Sequence, residues 1–237
     1  LSKAKRKRQT DNTIQFNDYV KQQKHVELIP KSLNQETYID FLQDKNRQVV
    51  LATGPAGTGK TMLATRAAIA AYKNKEIDKI ILTRPAVGVD DEKHGFLPGD
   101  INAKMEPWTR PLFDVIHEYY SVKEVARMLD EQIIEISPLA FQRGRTYKKA
   151  WVIFDEAQNS TVNQMKMILT RLGHDSKIVV TGDLNQTDRQ FTKVNGLTDF
   201  VKKVGLTNPH IGIVEFNPRD TQRSAIVREV LKIYSEE

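Results

Sequence analysis

The chain contains no cysteine. That excludes a disulfide framework and any cysteine-based zinc site, and it fits a reducing cytoplasm. No uninterrupted apolar run approaches a membrane span, and no secretory signal is visible, so no membrane partner is expected. There is no internal repeat and no low-complexity tract. No cluster of His, Asp and Glu suggests a dedicated metal site, and His94, beside Gly95, reads as a loop residue. What is present is ordinary for a globular protein: 237 residues, 39% hydrophobic and 28% charged, enough for one large domain or two small ones. Charge is uneven. Of the net +6, five charges sit on Lys3, Lys5, Arg6, Lys7 and Arg8, with no acid among the first eight residues. The remainder is nearly neutral. The basic tail reads either as a contact for nucleic-acid phosphates or as a solvated, flexible terminus.

The most specific pattern is Gly54-Pro55-Ala56-Gly57-Thr58-Gly59-Lys60-Thr61, a full G-x-x-x-x-G-K-[ST] phosphate loop. Its context fits. Val49 to Thr53 is apolar and β-branched, which predicts a buried strand. Met62 to Tyr72 is Ala-rich without Gly or Pro, which predicts a helix. Glycines let the backbone wrap around phosphate oxygens, and the helix N-terminus then faces their charge. Lys60 is expected to reach the β- and γ-phosphates and the Thr61 hydroxyl to ligate Mg²⁺.

Strand and helix patterns alternate beyond the loop. Strands are expected at 79–83, 133–137, 151–154, 177–181 and 211–216, and helices at 34–44, 111–120, 122–129, 161–172 and 224–234. The stretch 85–98 is rich in Pro and Gly. This alternation predicts an α/β fold, a mostly parallel sheet with helices on both faces and a site at the strands' carboxyl ends. Two further loops fall there. Val152 to Phe154 runs into Asp155-Glu156-Ala157-Gln158, where Asp155 is placed to hold Mg²⁺ and Glu156 to polarise an attacking water. Thr181-Gly182-Asp183 follows another strand, with Gln186 as a hydrogen-bonding sensor of the γ-phosphate.

Taken together these residues resemble the PhoH-like ATPase family. The likeness runs through Pro30-Lys31-Ser32 with Asn34-Gln35 and Tyr38, the glycine loop, Thr83-Arg84-Pro85-Ala86-Val87, and Gly95 to Asp100. It continues through Lys104 to Trp108, Arg110 to Asp114, Phe141 to Thr146, Asp155 to Asn159, Gln164 to Lys166, and Thr181 to Asp183 with Gln186. It covers about residues 28 to 236. The resemblance implies a RecA-like P-loop fold related to the first motor domain of superfamily-1 helicases. It implies ATP with Mg²⁺ as ligands, ATP hydrolysis, and RNA or single-stranded DNA as partner. Gln35 matches the glutamine that reads adenine, Gln158 the position that couples the site to the γ-phosphate, and Arg84 a loop that approaches nucleic acid. The strand leading to Asp183 is implied to lie between those leading to Gly54 and Asp155. The expected organisation is a basic disordered tail over 1–12 and a single domain over 13–237. The chain as given leaves no room for the nuclease or RNA-binding modules fused to some relatives. One departure stands out: family members tend to read Asp-x-x-Arg-His where this chain has Asp220-Thr221-Gln222-Arg223-Ser224.

Phosphoryl transfer needs positive charge on the transition state, and an arginine from outside the loop commonly supplies it. About 176 residues follow Thr61, and no second glycine loop is visible among them. The arginine must come from within the chain or from a neighbouring copy, which suggests a head-to-tail ring, possibly of six. Arg143, Arg145, Arg219 and Arg223 are the candidates, with Arg143 and Arg145 preferred and Arg223 next. Trp108 and Tyr147 lie in polar contexts where they could stack on bases; packing after a turn at Pro107 is the favoured role for Trp108. The competing functions are a slow nucleotide switch and, less favoured, a small-molecule kinase.

Overall fold

Every residue of Val49–Thr53 (β1), Ala150–Phe154 (β4) and Lys177–Gly182 (β5) is buried. Side chains alternate between the two faces of a sheet, so strands buried throughout must be covered on both. Val50, Ala52, Ile153 and Val179 belong to one apolar core, and Val49, Leu51, Val152 and Val180 to a second. The first core is closed by Leu33–Gln43 (α1), Lys60–Lys73 (α2), Ile101–His117 (α3) and Val122–Asp130 (α4). The second is closed by Val162–Leu169 (α5) and Gly196–Val204 (α6).

A computed structural model describes residues 25–85, 101–186, 194–205 and 208–222, with residues 226 and 233; the side chains of 101–108 are not included. The basic tail, His94, Arg223 and the Trp108 side chain therefore lie outside the described residues, as does most of 85–98. Of the helix expected over 224–234 only residues 226 and 233 are described, and both are helical.

Lys79–Thr83 (β2), Ile134–Ile136 (β3) and Ile211–Glu215 (β6) complete a six-stranded sheet of order β3-β2-β4-β5-β1-β6. Every neighbouring pair is parallel. This is a RecA-like P-loop α/β fold. The strand leading to Asp183 lies between β1 and β4, as the resemblance implies. All carboxyl ends open on one edge, which gathers Gly54, Arg84, Asp155, Asp183 and Phe216 there.

Local chemistry sets the helix starts. Ser32, Ser121, Thr161 and Asn195 each accept a backbone N–H from the first turn of α1, α4, α5 and α6, and Ser121 and Thr161 form reciprocal capping boxes with Glu124 and Gln164. Three features correct the sequence reading. α3 begins at Ile101, ten residues before the expected start, and runs through Pro107 and Pro111, so there is no turn at Pro107. An internal proline costs roughly 3 kcal/mol; burial of Leu112, Val115 and Ile116 in the first core offsets it. α6 is a helix the sequence reading does not anticipate. Tyr147 is buried, with its hydroxyl donating to Gln142 Oε1 at 2.7 Å, so it is not free to stack on a base. None of the described helices is long and apolar enough to cross a membrane.

At the opposite edge, the amino ends of the strands, a cavity of about 640 Å³ is lined by Leu28, Leu42, Ala71, Trp151 and Lys177 among others. The buried Lys177 ammonium donates to the carbonyls of Phe41, Leu42 and Asp44 at 3.1, 2.5 and 2.9 Å, holding the end of α1. Burial pushes its pKa down to about 8; Asp44 and Glu76 oppose that shift and Arg47 adds to it. The folded value lies below the unfolded value of about 10.4, so between the two the unfolded chain binds more protons. This group's contribution to stability therefore rises as pH climbs through that window. Urea titrations of the wild type and Lys177→Met should show the difference between them shifting toward the wild type from pH 7.5 to 9.5. A difference independent of pH would contradict the assignment.

Candidate nucleotide site

The glycine loop joins β1 to α2 in a shape that only its residue types allow. Gly54 has φ of 128°, and a Cβ there would lie 2.2 Å from the Phe216 carbonyl oxygen. Gly59 caps α2 in the left-handed region, φ 86°. The loop therefore delivers the first turn of a 14-residue helix, with its partial positive charge, to the carboxyl edge of the sheet. Lys60 Nζ donates to the carbonyls of Gly54 and Pro55 at 2.6 and 2.7 Å and to Thr58 Oγ1 at 3.3 Å. Burial lowers its pKa, and the carboxylates of Asp183, Asp155 and Glu156 oppose that shift. An ammonium surrounded by carbonyls and three acids sits where a polyphosphate's charge would be neutralised.

Two segments hold the loop from outside. From α1, buried Gln35 donates through Nε2 to the Thr58 carbonyl at 2.9 Å and accepts from the Lys31 N–H at 2.8 Å. Tyr38 donates its hydroxyl to the Lys60 carbonyl at 3.2 Å, and its ring meets Phe216 edge-on at 5.7 Å. From the C-terminal side, Phe216 N–H bonds the Thr53 carbonyl at 2.7 Å and Gln222 N–H bonds the Gly57 carbonyl at 2.9 Å. The two segments are themselves joined by Asn34 Nδ2 donating to Asp220 at 2.7 Å. Burial tends to raise the Asp220 pKa. The Asn217 N–H, the Asn34 amide and the Ser32 hydroxyl outweigh it and hold the carboxyl below its usual range.

The acids come from β4 and β5. Asp155 Oδ1 accepts from Thr61 Oγ1 at 3.0 Å and from Thr181 Oγ1. Glu156 takes a left-handed conformation, φ 52° and ψ 40°, which costs a non-glycine residue about 1 kcal/mol or more. Its carboxylate accepts from Gln158 Nε2 at 2.5 Å. The other end of the same buried amide, Oε1, accepts the Asp183 N–H at 3.1 Å. Gln158 thus ties the acid after β4 to the loop after β5. A hydroxyl and a carboxylate in contact, both hard oxygen donors, suit Mg²⁺. The lysine and helix terminus beside them suit a triphosphate.

A family model described as PhoH-like protein matches residues 27–235. The chain belongs to the PhoH-like family. It is 43% identical over 207 residues to the PhoH-like protein of Bacillus subtilis (strain 168), covering 87% of this chain and 64% of that one. It is 42% identical over 209 residues to the PhoH-like protein of Mycobacterium tuberculosis (strain ATCC 25618 / H37Rv), covering 87% and 57%. It is 41% identical over 193 residues to Protein PhoH of Escherichia coli (strain K12), covering 81% and 54%. The chain therefore spans a little over half to just under two thirds of these curated relatives. Among solved structures, Pif1 helicase from Candida albicans overlays at a TM-score of 0.39 with 14% identity, covering 86% of this chain and 44% of that one. The PhoH-like kinship together with the site supports a nucleotide-binding, ATPase-like role.

Within this PhoH-like chain, Gln35, the loop from Gly54 to Thr61, Asp155, Glu156 and Gln158 converge on one edge. Gln35 is buried and uses one N–H and one lone pair on its own chain. Gln186 is not brought into the cluster: it is exposed on the turn after β5, its N–H 3.4 Å from the Asp183 carbonyl. Arg145 is held as a bidentate partner of Glu135 on β3, one contact being Nη2 to Oε2 at 2.8 Å. Arg143 and Arg219 are exposed, and Arg84 follows β2 at the rim. Thr181 and the Asn34–Asp220 link carry no role in the sequence reading. A hydroxyl residue at a strand end beside an acid could have flagged Thr181; nothing local could have paired residues 34 and 220.

A Cβ on Gly182 would lie 2.7 Å from Gln158 Oε1 and 2.7 Å from Leu197 Cδ2. Gly182→Ala is expected to displace the Gln158 amide while leaving the glycine loop intact. Fluorescent-ATP titration should give an affinity within about threefold of wild type, and phosphate release should fall about tenfold or more. Unchanged turnover would mean that the bridge is dispensable.

Proposed function

We propose that this chain hydrolyses ATP to ADP and phosphate with Mg²⁺ and couples turnover to RNA or single-stranded DNA in the cytoplasm, as a homo-oligomeric ring. The observation that carries the reading is the Thr61–Asp155 contact at 3.0 Å, with Glu156 held beside it by Gln158. Lys60 would exchange its carbonyl partners for β- and γ-phosphate oxygens. Mg²⁺, held by Thr61 and Asp155, would neutralise charge on those oxygens. Glu156 is the group that orients and deprotonates the attacking water, and Gln158 fixes its direction. The glycine loop and the α2 terminus hold the phosphates in line, so positioning and charge supply most of the rate. Arg84, at the rim, and the basic residues 3–8 supply cations for a nucleic-acid backbone.

A slow nucleotide switch is the second reading. It is favoured by one observation: Lys60 and Glu156 are both satisfied by their own chain, so each must rearrange before it engages substrate.

Phosphate release measured with and without poly(U) RNA and oligo(dT), at two salt concentrations, separates the two. Coupled hydrolysis predicts stimulation that fades with salt; a switch predicts slow turnover indifferent to both polymers. Glu156→Gln should keep ATP binding while turnover falls by roughly 10²-fold or more. Turnover that survives the substitution would remove Glu156 from the mechanism.

A further inference from the structure

β5 reads Lys177-Ile178-Val179-Val180-Thr181-Gly182 and is buried at every position. Its side chains alternate between the faces of the sheet. Ile178 and Val180 lie in the second core and Val179 in the first, so Thr181 falls on the side of Val179. Thr181 is completely buried. A valine has the same shape and would suit this strand as well as its neighbours do. A buried hydroxyl costs free energy unless it is hydrogen-bonded. Packing therefore does not call for a hydroxyl here, and the reason for one lies in what it touches.

It touches Asp155. Thr181 Oγ1 donates to Oδ1 of that carboxylate and makes no other hydrogen bond among the described residues. Thr61 Oγ1 donates to the same oxygen at 3.0 Å. Oδ2 accepts no hydrogen bond from the described residues. Two donors thus hold one oxygen and leave the other open. They come from different elements, Thr61 from the first turn of α2 and Thr181 from the end of β5. The torsion that turns a carboxylate is broad and two-fold when nothing restrains it. One hydroxyl leaves the group free to pivot on a single contact; a second, from another direction, fixes it.

The same strand end steers the neighbouring acid. Two residues on, the Asp183 N–H bonds Gln158 Oε1 at 3.1 Å, and Gln158 Nε2 holds the Glu156 carboxylate. The end of β5 therefore sets one carboxylate through a side chain and the next through its backbone.

We propose that Thr181 is a positioning residue for the metal: its hydroxyl orients the Asp155 carboxylate so that the open oxygen is available to a divalent cation carried by the nucleotide. The inference rests on the reading of Thr61 and Asp155 as the Mg²⁺ donors. Thr181 acts through Asp155 and not as a ligand, so its effect is confined to the share of nucleotide affinity that the cation contributes.

Fluorescent-ATP titrations with excess Mg²⁺ and with EDTA read that share without any turnover. The wild type should bind about tenfold or more tightly with Mg²⁺ than with EDTA. Thr181→Val should lose most of that gain, while its affinity in EDTA stays within about twofold of wild type. Thr181→Ser, which keeps the hydroxyl, should keep the gain. In an Asp155→Ala background Thr181→Val should change nothing further, because the carboxylate it acts through is gone. A Thr181→Val chain that retains the full Mg²⁺ gain, or that binds more weakly in EDTA as well, would overturn the proposal. So would failure of Thr181→Ser to keep the gain, or an added loss in the Asp155→Ala chain. A wild type that binds ATP with no Mg²⁺ gain at all would remove the metal from Thr61 and Asp155, and the role of Thr181 with it.

Discussion

Everything at the carboxyl edge depends on the shape of one backbone segment, Gly54 to Thr61, and that shape is held from outside. A glycine-rich loop has more conformational freedom to lose than other sequences, so its anion-binding form must be imposed. Here α1 grips it through Gln35 and Tyr38, while the strand end at Phe216 and the backbone of Gln222 grip it from the other side. Asn34 and Asp220 lock the two grips together. Breaking a buried hydrogen bond of this kind costs about 1–3 kcal/mol. The brace is therefore comparable in size to the entropy of the few residues it orders.

The second constraint is the Gln158 amide. One side chain satisfies the Glu156 carboxylate and the Asp183 N–H at once. A change at either loop therefore reaches the other through a single rigid group. The strained backbone at Glu156 and the close approach at Gly182 are what this arrangement requires. The far ends of α1 and α2 reach the opposite edge, where Lys177 anchors α1. The loop is thus continuous with the core at both ends.

Much of this was legible in the residues. The glycine loop, the strand before it and the helix after it are contiguous, so local patterns suffice; the same holds for Val152 to Asp155. The place of β5 between β1 and β4 came from resemblance, because strand order is a long-range property. The start of α3 is not legible because a proline usually marks a turn or a helix's first residue, as Pro107 and Pro111 are read, and only the fold shows both inside one helix. Tyr147 looked like a surface aromatic among polar neighbours, but its burial depends on Gln142 and Arg145 folding over it. Arg145 is a candidate by residue type alone, and its pairing with Glu135 on β3 is visible only in the fold. The Asn34–Asp220 bond spans 186 residues, and no local pattern encodes it.

The central claim is that the braced loop, with Lys60 at its mouth and Asp155 against Thr61, receives a magnesium-bound triphosphate. Isothermal titration of Mg-ATP into the wild type and into Lys60→Ala tests it most directly. The account predicts one saturable site per chain and an affinity at least about tenfold weaker in the variant, roughly 1.4 kcal/mol. No saturable heat from the wild type, or equal affinities for the two chains, would contradict it.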